Sequence, residues 1–73
     1  MQVYSNGVTV EGMRKAMRVP RTIYAKQMEE RFAVLRNGSM IGGEAGDYLV
    51  RDSLGYYDVI QRSIFESFYQ FVE

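Results

Sequence analysis

Asp47-Tyr48-Leu49-Val50-Arg51-Asp52-Ser53-Leu54-Gly55-Tyr56-Tyr57-Asp58-Val59-Ile60-Gln61 is the stretch that decides the fold. Two runs rich in aromatic and β-branched residues flank Ser53-Leu54-Gly55, a turn signal. The spacing predicts a hairpin, with one strand over 47–52 and its return over 56–61. A lone hairpin is marginal in water, so this one needs neighbours. Upstream, Thr22 to Met28 and Phe32 to Arg36 read as two more strands joined by a charged turn, Glu29-Glu30-Arg31. Residues 22–36 also suit a single helix by intrinsic propensity, and the strand reading is preferred here. Asn37-Gly38-Ser39 is a turn, and Gly42, Gly43 and Gly46 interrupt the segment that follows.

Downstream, the chain reads as helical to its end. Ser63-Ile64-Phe65-Glu66 fits the S-x-x-E capping box, with Ser63 as N-cap and Glu66 reaching back. Ile64, Phe65, Phe68, Phe71 and Val72 recur at helical spacing as one apolar stripe, which needs the sheet to cover. At the other end, Val3 to Val10 reads as a short hairpin about Asn6-Gly7, a pair suited to a type I′ turn. Glu11 to Pro20 reads as a linker or flexible arm, with Val19 biased to extended geometry by Pro20. The expected architecture is α+β: a small antiparallel sheet of three to five strands and one C-terminal helix. Its divisions are an N-terminal hairpin and basic flexible arm over 1–21 and a β-rich core over 22–73.

The 73-residue chain is one domain. At this size only about 60% of the unfolded chain's surface is buried, so the core is thin. It has no Cys and no His. That excludes disulfides and thiolate zinc sites and removes the commonest metal ligand and general base. Catalysis would rest on carboxylates, Ser, Lys or Tyr, and no convergent set of these is legible. Glu44, Asp47 and Asp52 lack the alternating spacing of an EF-hand loop. Gly42-Gly43-Glu44-Ala45-Gly46 lacks the Lys of a phosphate loop and offers acids that repel phosphate. No enzyme activity, cofactor or metal is expected. Met1 to Val10 has no apolar signal-peptide core. No apolar run approaches the roughly 20 residues of a membrane span. A soluble, cytoplasmic, monomeric chain is expected.

Net charge is zero but unevenly spread. Residues 1–36 hold Arg14, Lys15, Arg18, Arg21, Lys26, Arg31 and Arg36 against Glu11, Glu29 and Glu30. Residues 37–73 hold Arg51 and Arg62 against Glu44, Asp47, Asp52, Asp58, Glu66 and Glu73. Two readings stand: a surface aimed at a charged partner, or two halves that attract each other in the fold. Arg14, Lys15, Arg18 and Arg21 fall within eight residues. They suit a nucleic-acid backbone, an acidic protein surface, or an arm kept soluble. Tyr56 and Tyr57 point to opposite faces of a strand, so at least one is expected to be exposed; both are candidate binding anchors, and packing is the competing role for either.

Several blocks occur in an order that resembles a widespread group of small phage and prophage proteins. They are Ala25-Lys26-Gln27-Met28, Gly46-Asp47-Tyr48-Leu49-Val50, Gly55-Tyr56, and Ile64-Phe65-Glu66-Ser67-Phe68-Tyr69. Members of that group carry a PGDYL-like strand, a returning strand and a terminal IFExxY helix. The resemblance covers roughly residues 20–70. Ala45 stands where the group has Pro, the chain continues through Gln70-Phe71-Val72-Glu73, and the first 18 residues have no counterpart. The group implies a fold and no activity. In length and overall look the chain is also similar to phage transcription regulators. That resemblance implies a non-catalytic protein that binds host bacterial RNA polymerase, inhibits host initiation and promotes antitermination. It transfers no site residue, because no site motif is there to match. The other readings are a nucleic-acid-binding module, through the basic arm, and an inhibitor of a host defence protein.

Overall fold

The computed structural model describes residues 1–5, 9–18 and 21–72, and of Met17, Arg18 and Arg21 the backbone. Along the described residues run β1 (Gln2–Tyr4), β2 (Arg14–Arg18), β3 (Arg21–Gln27), β4 (Phe32–Arg36), β5 (Ser39–Gly43), β6 (Tyr48–Arg51), β7 (Tyr57–Ile60), α1 (Arg62–Phe68) and β8 (Gln70–Phe71). They form a five-stranded sheet ordered β7-β6-β3-β2-β8 and a three-stranded sheet ordered β1-β4-β5. This is a small α+β fold, with two sheets where one was expected. No described helix is long and apolar enough to cross a membrane.

The expected hairpin over 47–61 is β6–β7. Tyr48 lies opposite Ile60, Leu49 opposite Val59 and Arg51 opposite Tyr57. Successive strand residues point to opposite faces. Tyr48, Leu49 and Val50 are nonetheless all buried, so β6 is covered on both sides. One face packs on the smaller sheet through Phe32, Val34, Leu49 and Tyr57, with Met13, Ile41 and Val59 beside them. The other face packs under α1 through Ala16, Ile23, Ala25, Tyr48, Val50 and Phe65. Fully burying a large apolar side chain is worth about 1.5–3 kcal/mol, so two thin cores replace one thick one.

Four expectations change. First, residues 14–18, read as part of an arm, form β2, antiparallel to β3 along its length and paired with β8 on its other side. The boundary placed between residues 21 and 22 therefore falls inside a strand. Ala16, fully buried opposite Ile23 and Phe71, is the small inward residue that anchors β2. Second, β3 and β4 are not partners across Glu29-Glu30-Arg31. β3 pairs with β2 and β6, whereas β4 pairs with β1 and β5. Third, β1 runs parallel to β4, with Val3 opposite Ala33. The Asn6-Gly7 turn and the Val19-Pro20 connection lie outside the described residues. Fourth, the glycine-bearing segment after Gly38 is a strand, β5. Asn37 (φ 51°) and Gly38 (φ 78°) make the tight two-residue turn that returns it along β4. Gly43 lies opposite Phe32, and a Cβ there would overlap the Phe32 ring.

The C-terminal helix is short. It ends at Phe68, Tyr69 is extended, and Phe71 joins β8 against β2. No side chain of the N-cap residue, Gln61, caps it. Asp47 does so from outside: its Oδ1 accepts the Arg62 N–H (3.0 Å), and its Oδ2 accepts the Glu44 N–H (3.0 Å). Glu66, expected to reach back to Ser63, accepts instead from Tyr48 Oη (3.2 Å) and Arg62 Nε (3.4 Å). Of the expected stripe, Phe65 is the buried member of the helix, while Ile64 and Phe68 are 47% and 58% exposed. Phe65 stacks on Tyr48 (centroids 3.9 Å apart) and on Tyr69 (5.0 Å), and Phe71 tilts against it (5.5 Å). Phe71 thus reaches this cluster from β8 and not from a further helical turn.

Candidate functional site

Three adjacent strands of the larger sheet, β6, β3 and β2, read YLVR, RTIYAKQ and RKAMR. They carry Arg14, Lys15, Arg18, Arg21, Lys26 and Arg51 and no acidic residue. The pairing collects what the sequence separates, since Arg51 lies 30 positions beyond Arg21. Like charges on neighbouring strands raise a local positive potential even when net charge is zero.

The register sets out a row across one face of these strands, Lys15 opposite Tyr24 and Tyr24 opposite Arg51, while Arg14, opposite Ala25, falls on the other face. Directly opposed residues share a face with Cβ atoms about 4.5–5.5 Å apart. Lys26 lies on the same face as Tyr24, two residues on, and its Nζ donates to the Glu11 carbonyl (3.1 Å). Tyr24 is 36% exposed, and the Arg51 guanidinium lies 5.1 Å from its ring centroid. Among the described residues, Lys15, Lys26 and Arg51 have no carboxylate partner.

The structure divides the sequence-derived candidates. Lys15 is exposed in the row just described. Arg14 lies on β2 with its guanidinium over the Phe71 ring (4.0 Å), which ties it to the aromatic cluster. Arg18 and Arg21 face each other at the end of the β2–β3 hairpin. Tyr56 is 43% exposed, in a loop organised by Asp52 Oδ1, which accepts the N–H groups of Leu54 (2.9 Å) and Tyr56 (3.0 Å). Tyr57 is not an anchor: it is fully buried between the two sheets. Tyr24, Lys26 and Arg51 were missed. The sequence signal that could have singled out Tyr24 is its place between Ile23 and Ala25 in a strand, where alternation turns it to the face opposite those two apolar residues, which are buried.

The remaining charges mostly pair. Arg31–Glu44 (3.4 Å) and Arg36–Asp58 (3.0 Å) join a cation of the first half to an acid of the second, and Arg62–Glu66 (3.4 Å) lies within α1. The attraction between halves is thus present, and among the described residues it leaves Lys15, Lys26 and Arg51 out. Exposed pairs of this kind contribute little to stability. Among the described residues no group of three acids is placed to hold a metal ion. Asp47 and Asp52, two of the acids weighed as cation ligands, organise backbone N–H groups. Comparison with protein-family models, with curated proteins and with solved structures gave no match.

Proposed function

We propose that this chain is a non-catalytic phage transcription regulator that docks on bacterial RNA polymerase, inhibiting host initiation and promoting antitermination. The partner comes from the resemblance of its sequence blocks and length to phage proteins of that kind. The single observation that supports a docking role is that β2, β3 and β6 carry six cations and no acid, with Lys15, Lys26 and Arg51 sharing one face. Such a face suits an acidic protein surface, where complementary charge speeds encounter and fixes orientation. Lys15, Arg18 and Arg21 supply charge along the β2–β3 hairpin, and Tyr56 is the exposed tyrosine of the original pair. Arg14 contributes through the Phe71 contact that holds β2 and β8 together.

The testing experiment is direct binding of purified polymerase to the immobilised full chain. Binding at micromolar concentration or tighter, weakened by salt, is the expected result. Absence of binding at low salt refutes the reading.

A further inference from the structure

Tyr24 poses a separate question. Tyrosines in so small a domain are needed for the core, and Tyr48 and Tyr57 are there. Tyr24 instead lies on the open part of a sheet face. Lys26, on the same face of β3, is opposite Leu49, which is fully buried under the smaller sheet. At Tyr24 that cover has ended. The ring is left between Lys15 on one neighbouring strand and Arg51 on the other. Strands lie about 4.8 Å apart, so these cations flank the ring at about one strand spacing on each side. The Arg51 guanidinium lies over one face of the ring and holds ring and cation as one unit, so a base would stack on the opposite face.

We propose that Tyr24 is a stacking platform for an unpaired nucleobase, with Lys15 and Arg51 neutralising the phosphates on either side, so that this face of β2, β3 and β6 is a single-stranded nucleic-acid site. A flat aromatic face on a sheet, bordered by cations, binds single strands because every base offers a π-face. A duplex keeps its bases stacked internally and gives the ring nothing to hold. An acidic protein needs the cations but gains little from the ring. The inference goes beyond polymerase docking and does not depend on it, since it concerns the free chain.

The test is fluorescence anisotropy of short labelled oligouridylate and oligothymidylate strands with the full chain at low salt, beside a duplex of equal length and a polyglutamate competitor. Both single strands bind, and more tightly than the duplex. Tyr24→Ala weakens binding by about tenfold, within the range of one lost base stack, and Tyr24→Phe retains it. Lys15→Gln and Arg51→Gln each weaken binding and lower the salt slope by about 0.7. Titration of the unsubstituted chain followed by NMR reads the same event without a mutation: the Tyr24 ring signals shift upfield as the base stacks. The proposal is overturned if no strand binds at about 100 μM, the weak end of non-specific affinity. It is equally overturned if the duplex binds as well as the single strands, or if the Tyr24 signals stay in place. Tight polyglutamate binding that Tyr24→Ala leaves unchanged, without strand binding, assigns the face to an acidic protein instead.

Discussion

Asp47 accepts the backbone N–H of Arg62 at 3.0 Å, so the helix is capped by a residue fifteen positions before it. The same carboxylate holds the Glu44 N–H, closing the turn that leads into β6. One side chain therefore joins the start of the central strand to the start of the helix that covers it.

Removal of this carboxylate is expected to be costly where removal of the local serine is not. Asp47→Ala loses the cap and the turn together and should destabilise by about 1–2 kcal/mol. Ser63→Ala should stay within about 0.5 kcal/mol of the unsubstituted chain, as for other surface positions. Urea unfolding measures both, and the reverse order would restore the capping box.

The helix presses one aromatic residue into the core. Phe65→Ala should cost about 3–5 kcal/mol by opening a cavity beneath Tyr48 and Tyr69. Phe68, more than half exposed, should cost under about 1 kcal/mol when cut to Ala. Thermal melts that rank Phe68 above Phe65 would contradict the placement of α1.

Gly43 and Gly42 make a matched pair on β5. A methyl group at Gly43 meets the buried Phe32 ring, and the resulting strain should cost about 1–3 kcal/mol. Nothing lies within 4 Å of a Cβ at Gly42, so Gly42→Ala should be close to neutral. Equal effects in denaturant titrations would mean that β5 does not lie against Phe32 in this register.

Burial, then the hydrogen bond to Glu66, raises the Tyr48 phenol above its ordinary pKa of 10.0. The folded state thus holds this proton at pH values where the unfolded chain has released it. The stability it contributes is complete below pH 10 and is lost as pH rises toward the folded-state value. Tyr48→Phe should show a shallower alkaline decline than the unsubstituted chain. Parallel declines in pH-dependent melts would remove Tyr48 as the cause.

What was legible in the sequence is what local patterning encodes. The β6–β7 hairpin carries aromatic and β-branched residues on both sides of a glycine turn, and it forms as read. β2 was hidden because Ala16, the buried one of its described side chains, is too small to announce a strand. β5 was hidden by glycines that read as breakers, although Gly43 is there to admit the Phe32 ring. The cap was hidden because Asp47 is distant in sequence, and a plausible local serine stood in the expected place. The site was half legible. The cations of 14–21 are plain in the sequence, but Tyr24 and Arg51 join them only through the register of β3 with β2 and β6.

The most direct test of polymerase docking is the association rate of purified bacterial RNA polymerase with the immobilised full chain, compared with a Lys15→Gln, Arg18→Gln, Arg21→Gln variant. Arg14 is kept in that variant because it lies over Phe71. The account predicts binding at micromolar concentration or tighter by the unsubstituted chain. It predicts slower association by the folded variant, and a difference that narrows in high salt. Equal association rates at low salt, or no binding by the unsubstituted chain, would contradict it.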